Sequence, residues 1–179
     1  MASSSDDAQH ATVASKKQFY IFGHNISYSL SPTLHDAGFR ALDLDNYYQI
    51  HDSEGIDESV EQIVRRPDFG SVSVTIPHKL QITKLLDSVS PQAEIIGAIN
   101  TIVVSQGDNT DWVGVRRCVE KARYSDLASS AALVLGAGGA ARAACYAIQT
   151  MGFRKLIIVN RTLSKAQDMI EQAYEQFEL

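Results

Sequence analysis

The segment AALVLGAGGAARAACYAIQTMGFRKLIIVN, residues 131–160, leaves this chain little freedom of fold. Two short apolar runs rich in Val, Leu and Ile bracket an alanine-rich stretch of helical period, which predicts strand, helix and strand. Gly136, Gly138 and Gly139 fall between the first strand and the helix. A glycine turn there lets backbone amides approach a pyrophosphate at the helix N-terminus. The spacing is Gly-x-Gly-Gly-x-x-Arg-Ala, with Ala141 where the commonest fingerprint has a third glycine, and Ala140 opens the helix. Alanine still permits close packing, so the strand-turn-helix-strand context points to a dinucleotide site rather than a tight structural turn alone.

The end of the second strand indicates which dinucleotide. NAD sites usually offer an acidic residue to the ribose diol, whereas this strand ends in Asn160, Arg161 and Thr162. Arg161 can stack on adenine and pair with a 2′-phosphate while Asn160 and Thr162 donate hydrogen bonds to it, which favours NADP. Taken alone, Arg161 is equally a solvated arginine opening a helix, with Thr162 as its cap.

The same alternation extends upstream. Residues 1–17 are rich in Ser, Ala and Asp without hydrophobic period and read as a flexible leader. Then come a strand (QFYIFG), a helix (TLHDAGFRALDL), a strand (YYQI), a helix (IDESVEQIVRR), a strand (GSVSVTI), a helix continuing through QITKLL, a short apolar strand (NTIVV) and a helix (WVGVRRCVEKA). This order predicts an α/β fold with a parallel sheet. One unit covers residues 18–128, and a second, 129–179, holds a β-α-β-α portion of a Rossmann-type cofactor domain. Helical spacing puts Cys118 on the core side with Val115 and Val119.

Composition narrows the partners. A net charge of −5 provides no basic field for nucleic acid. No apolar run approaches the roughly 18 residues of a membrane span. Cys118 and Cys145 stand apart without a Cys-x-x-Cys pair, which suggests reduced thiols in a cytoplasmic setting. The five histidines lack metal-ligand spacing, so no metal is expected, and His78 reads as a surface or turn residue.

The first unit carries several polar constellations. Ser29 and Ser31 precede Pro32 at a helix start, where two hydroxyls and free amides can face a small carboxylate; equally, Ser31 can cap the helix and Ser29 satisfy a turn. Thr75 and Lys79 follow the apolar strand VSV, with Lys84 beyond them as a solvated residue. Asn100 and Thr101 lie in GAINT, and Asn109, Thr110 and Asp111 precede a helix, where each can serve as a cap.

Together SLSPTLH, SVTIPHK, GAINT, DNTDWVG, GAGGAARA and NRT occur in the order found in shikimate dehydrogenases, and from Phe19 onward the chain resembles that family. The resemblance implies a substrate domain followed by an NADP domain, with shikimate and 3-dehydroshikimate, or quinate, bound between them. It implies that Ser29 and Ser31 contact the substrate carboxylate, that Thr75, Asn100 and Asp111 contact ring hydroxyls, and that Lys79 and Asp111 form the catalytic pair. A structural salt bridge is the alternative for that pair. The sequence departs from the pattern at Tyr28, where many relatives carry histidine, and at Asp36, where asparagine is usual. It also holds only two strands of a cofactor sheet that normally has about six, so truncation, a place within a longer polypeptide such as the fungal pentafunctional arom protein, or self-association is expected. A non-catalytic sensor similar to fungal quinate-pathway repressors is the alternative function.

Overall fold

The computed structural model describes residues 16–122 and 126–174. The expected leader therefore lies outside the described residues except at Lys16 and Lys17. Both are fastened to the fold: Lys16 Nζ donates to the Tyr47 hydroxyl at 2.8 Å, and the Lys17 amide donates to Asn46 Oδ1 at 2.9 Å.

The first unit runs β1 (Gln18–Gly23), α1 (Ser31–Ala41), β2 (Tyr47–Asp52), α2 (Glu58–Val64), β3 (Phe69–Val74), β4 (Ser88–Val89), α3 (Pro91–Ile96), β5 (Thr101–Val103), β6 (Gln106–Asp108) and α4 (Asp111–Lys121). Its sheet has the order β2-β1-β3-β5-β6-β4. The β1–β2, β1–β3 and β4–β6 pairs are parallel, whereas β5 is antiparallel to both β3 and β6. The sheet is thus mixed rather than wholly parallel. Val104 and Ser105 join β5 to β6, and a link that short permits only a hairpin.

The expected helix through QITKLL is instead two 3-10 turns, His78–Leu80 and Ile82–Leu85. Each turn is only three or four residues long, as is usual for 3-10 geometry, and burial of Ile82 anchors the second. Ile82 joins Phe22, Val60, Val72, Ile99 and Ile102 in the main core.

The second unit contains β7 (Ala131–Leu135), α5 (Gly139–Thr150), β8 (Lys155–Val159) and α6 (Leu163–Tyr174), with β7 and β8 parallel. Val134 on one sheet face packs with Ala141, Cys145 and Ile148 of α5 and Met169 of α6. On the opposite face Leu133, Leu135, Ile157 and Val159 are exposed. The units meet where Ile96 and Ala98 pack against Ala143, flanked by Trp112 and Tyr146 in edge-to-face contact at 5.2 Å.

Cys118 is exposed, contrary to the core position expected from spacing. Helix α4 buries none of its residues fully, so its apolar side has no deep core to turn Cys118 toward. Cys145 is buried and free, and burial pushes its thiol up to about 11. Among the described residues no helix is long and apolar enough to cross a membrane.

Candidate active site

Three chain segments converge at the end of β3. The Thr75 amide donates to Phe22 O at 2.8 Å, and the His78 amide donates to Thr75 O at 2.9 Å, turning the chain so that Lys79 falls in the first 3-10 turn. Lys79 Nζ donates to Asp111 Oδ2, with the two side chains 13% and 29% exposed, so the pair is partly withdrawn from water. Asp111 opens α4, and its other carboxylate oxygen accepts from Asn100 Nδ2 at 2.8 Å. Asn100 is fixed in turn: its carbonyl accepts from the Val74 amide at 2.7 Å, and its Oδ1 accepts from the Thr110 amide at 2.9 Å.

Asn109, which the sequence marks only as a possible cap, ties these segments together. It is 1% exposed; its Nδ2 donates to Ala98 O at 2.8 Å, and its Oδ1 accepts from the Asp111 amide at 3.0 Å. A buried amide with both ends bonded is a rigid cross-link between the loop after α3 and the start of α4.

The serine pair forms a second polar cluster. Ser29 Oγ donates to Ser31 Oγ at 3.2 Å and accepts from the Ser31 amide at 3.3 Å. Ser31 is the first helical residue of α1 rather than its cap; Leu30 occupies the cap position without a side-chain bond. Hydroxyls and amides are therefore concentrated at this helix start. Nearby, the buried Tyr48 hydroxyl donates to Ser73 Oγ at 2.7 Å. Burial pushes that phenol up, opposed by its hydrogen bonds to Ser73 and Ser31. Alternation along β3 puts Ser73 and Thr75 on one side, linking the serine cluster to the lysine turn. Of the two departures noted in the sequence, Tyr28 adjoins Ser29 and is 82% exposed, and Asp36 Oδ1 accepts from the amide of Tyr48 at 3.0 Å.

His78 lies in the first 3-10 turn, as a turn residue, but is fully buried rather than at the surface. Its Nε2 lies 3.1 Å from Ser53 Oγ, and burial lowers its pKa, opposed by hydrogen bonding to Ser53 and Gly23. The unfolded histidine takes up a proton near about pH 6.5, whereas the folded one resists it to lower pH. His78 thus favours the fold above that value and less so as pH falls below it. Denaturation midpoints measured across this range should fall with pH in the native chain and show a flatter dependence in His78→Gln.

On the second unit, β7 leads into Gly136, whose φ of +109° suits glycine and whose amide donates to Val159 O at 2.8 Å. Gly138 caps α5, and Gly139 is its first residue. A cleft of about 380 Å³ beside this turn is lined by Leu80, Ala137, Gly138, Arg142, Asn160, Lys165 and Asp168. It runs from the neighbour of Lys79 to the end of β8. Asn160 Nδ2 donates to Thr162 O at 2.6 Å, while Ala140, Arg161 and Thr162 are exposed. A side chain at Gly136 or Gly138 would meet no atom within 4 Å, so free space stands before the unpaired amides of α5, an arrangement that fits a pyrophosphate. Sequence reasoning missed Lys165 and Arg142 as cleft residues; for Lys165 the available signal was a cation one helical turn beyond Arg161.

Comparison with known proteins agrees with this layout. The family model described as shikimate dehydrogenase substrate binding domain matches residues 21–102, and that described as shikimate / quinate 5-dehydrogenase matches residues 119–179. The chain is 45% identical over 167 residues to the pentafunctional AROM polypeptide of Malassezia globosa, covering 88% of this chain and 10% of that polypeptide. Among solved structures, it is similar to the dehydroquinate dehydratase and shikimate dehydrogenase from S. pombe AroM, with 34% identity, a TM-score of 0.69 and coverage of 88% and 31% of the two chains. It is also similar to shikimate 5-dehydrogenase from Thermus thermophilus in complex with NADP(H) and shikimate, with 33% identity, a TM-score of 0.73 and coverage of 88% and 60%. The chain therefore spans a tenth of that curated relative and 60% of the Thermus enzyme.

Proposed function

The chain belongs to the shikimate dehydrogenase family, and from that premise we propose that it carries the substrate cleft and phosphate-binding turn of an NADP-dependent oxidoreductase interconverting shikimate and 3-dehydroshikimate. Residues 18–128 are the substrate unit, and residues 129–179 belong to the cofactor unit. The observation that carries this reading is the Lys79–Asp111–Asn100 network held beside the glycine turn.

Ser29 and Ser31 bind the substrate carboxylate with the first amides of α1. Thr75, Asn100 and Asp111 hold ring hydroxyls and fix the orientation of the reacting carbon. In the reducing direction Lys79 Nζ gives a proton to the carbonyl oxygen; in the oxidising direction it takes the proton back from the hydroxyl. Asp111 aligns both Lys79 and the substrate oxygen. NADP, when bound, supplies the hydride acceptor or donor. The backbone at Gly136, Gly138, Gly139 and Ala140 holds its pyrophosphate, and Asn160, Arg161 and Thr162, assisted by Lys165, bind the 2′-phosphate. The two free cysteines suit work in the reducing cytoplasm.

Titrations with NADP and NAD, each in the presence of shikimate, test this reading. Arg161→Ala should weaken NADP by about 10–100-fold, the cost of one charge-assisted phosphate contact, and change NAD far less. Equal losses argue against the 2′-phosphate contact, and a native protein that binds no shikimate contradicts the proposed function.

A further inference from the structure

The glycines of the turn are not equivalent. Gly136 and Gly138 have open space where a side chain would stand, whereas a Cβ on Gly139 would lie 2.9 Å from Lys79 Cβ, 3.1 Å from Lys79 Cδ and 3.5 Å from Ala98 Cβ. The first contact is far inside the usual carbon–carbon separation of about 3.5–4.0 Å. It involves the root of the lysine side chain, which a change of rotamer cannot move. The Lys79 backbone cannot easily withdraw either, because its carbonyl accepts from the Ile99 amide at 2.8 Å.

We propose that Gly139 is a positioning residue for Lys79: its bare Cα is the floor on which the lysine stem lies, aiming Nζ at Asp111. Its relevance to turnover rests on the reading of Lys79 as the proton-transfer group. The surrounding seam supports the same geometry. Gly139, Ala143 and Ala147 recur every fourth residue along one side of α5, and both alanines are fully buried. Ala143 packs on Ile96 and Ala98. Gly97 ends α3 with φ +66°, and a Cβ there would stand 3.0 Å from Arg142 Nη1. Small residues on both units therefore let α5 close onto the segment that carries Lys79. The glycine motif divides its work: Gly136 and Gly138 leave room in front of the helix for phosphate, and Gly139 leaves room behind it for the lysine.

Competitive acetylation read by mass spectrometry at the Lys79 peptide, over a range of pH, tests this directly in the native chain, Gly138→Ala and Gly139→Ala. With its side chain only 13% exposed, Lys79 should be protected in the native protein. Gly139→Ala should raise its labelling rate by about tenfold and, in the full natural polypeptide, lower kcat by about 10–100-fold. Gly138→Ala should show the reverse, weakened NADP with Lys79 still protected. Unchanged Lys79 labelling in folded Gly139→Ala overturns the proposal. If Gly139→Ala does not fold, Lys79→Gly/Gly139→Ala decides: a restored cooperative melt supports the contact, and failure to restore it overturns it. Unchanged turnover in Lys79→Ala would overturn the catalytic reading of the lysine and the effect of Gly139 on rate, while the labelling result judges the contact separately.

Discussion

Replacing Lys79 by alanine is expected to lower kcat by about 10²–10⁴-fold while leaving shikimate KM little changed, as loss of a positioned acid-base group requires. The separation of the two effects follows from the geometry. Asp111 keeps its bond from Asn100, and Ser29, Ser31 and Thr75 are untouched, so most contacts assigned to substrate binding survive. The carboxylate left behind is 29% exposed and can be hydrated, so the fold should tolerate the change; partly exposed ion pairs contribute only about 0–1 kcal/mol. Steady-state kinetics on the full natural polypeptide, with a thermal melt as control, distinguish this from general damage. Unchanged kcat would remove Lys79 from the chemistry, and a large fall in melting temperature would make the ion pair structural.

Asn109→Leu should act in the opposite manner, on stability first. The replacement is similar in size but leaves Ala98 O and the Asp111 amide without the partners they now have at 2.8 and 3.0 Å. Each stranded buried group costs about 1–3 kcal/mol, so a loss of about 2–6 kcal/mol is expected in denaturant unfolding. Because the lost acceptor also fixes the start of α4, Asp111 should loosen and substrate affinity should fall with stability. Asn109→Asp sets a buried carboxylate against Ala98 O and should be at least as destabilising at neutral pH. A loss under about 1 kcal/mol for Asn109→Leu would show that water or a small shift satisfies both groups.

The parts of the fold most legible in the sequence are those governed by local pattern. The β7-α5-β8 unit announces itself through two apolar runs and a glycine turn, and β1 through β3 through regular alternation. The β5–β6 hairpin is hidden because its turn lacks the usual glycine or asparagine; instead, β-branched Val104 adopts a φ of +58°. The two 3-10 turns are hidden because their apolar spacing suits an α-helix equally well. Cys118 shows the limit of assigning burial from periodicity, and His78 the limit of reading a polar turn residue as exposed. A helix that packs shallowly leaves Cys118 exposed, and a loop folded over a turn buries His78.

At the site, motif residues brought together by strand ends, such as Lys79, Asn100 and Asp111, can be anticipated from the resemblance. Those whose roles arise from packing between distant segments cannot. Asn109 looks like a cap until its contact with Ala98 is known, and Gly139 looks like one more phosphate-turn glycine until the lysine stem is seen against it.

The decisive measurement is the initial rate of NADP reduction when the full natural polypeptide meets shikimate. Turnover that depends on shikimate, prefers NADP to NAD and collapses in Lys79→Ala is the expected result. Saturable binding of shikimate and NADP without any reduction would contradict it, leaving the Lys79–Asp111 pair as a ligand-binding and structural device.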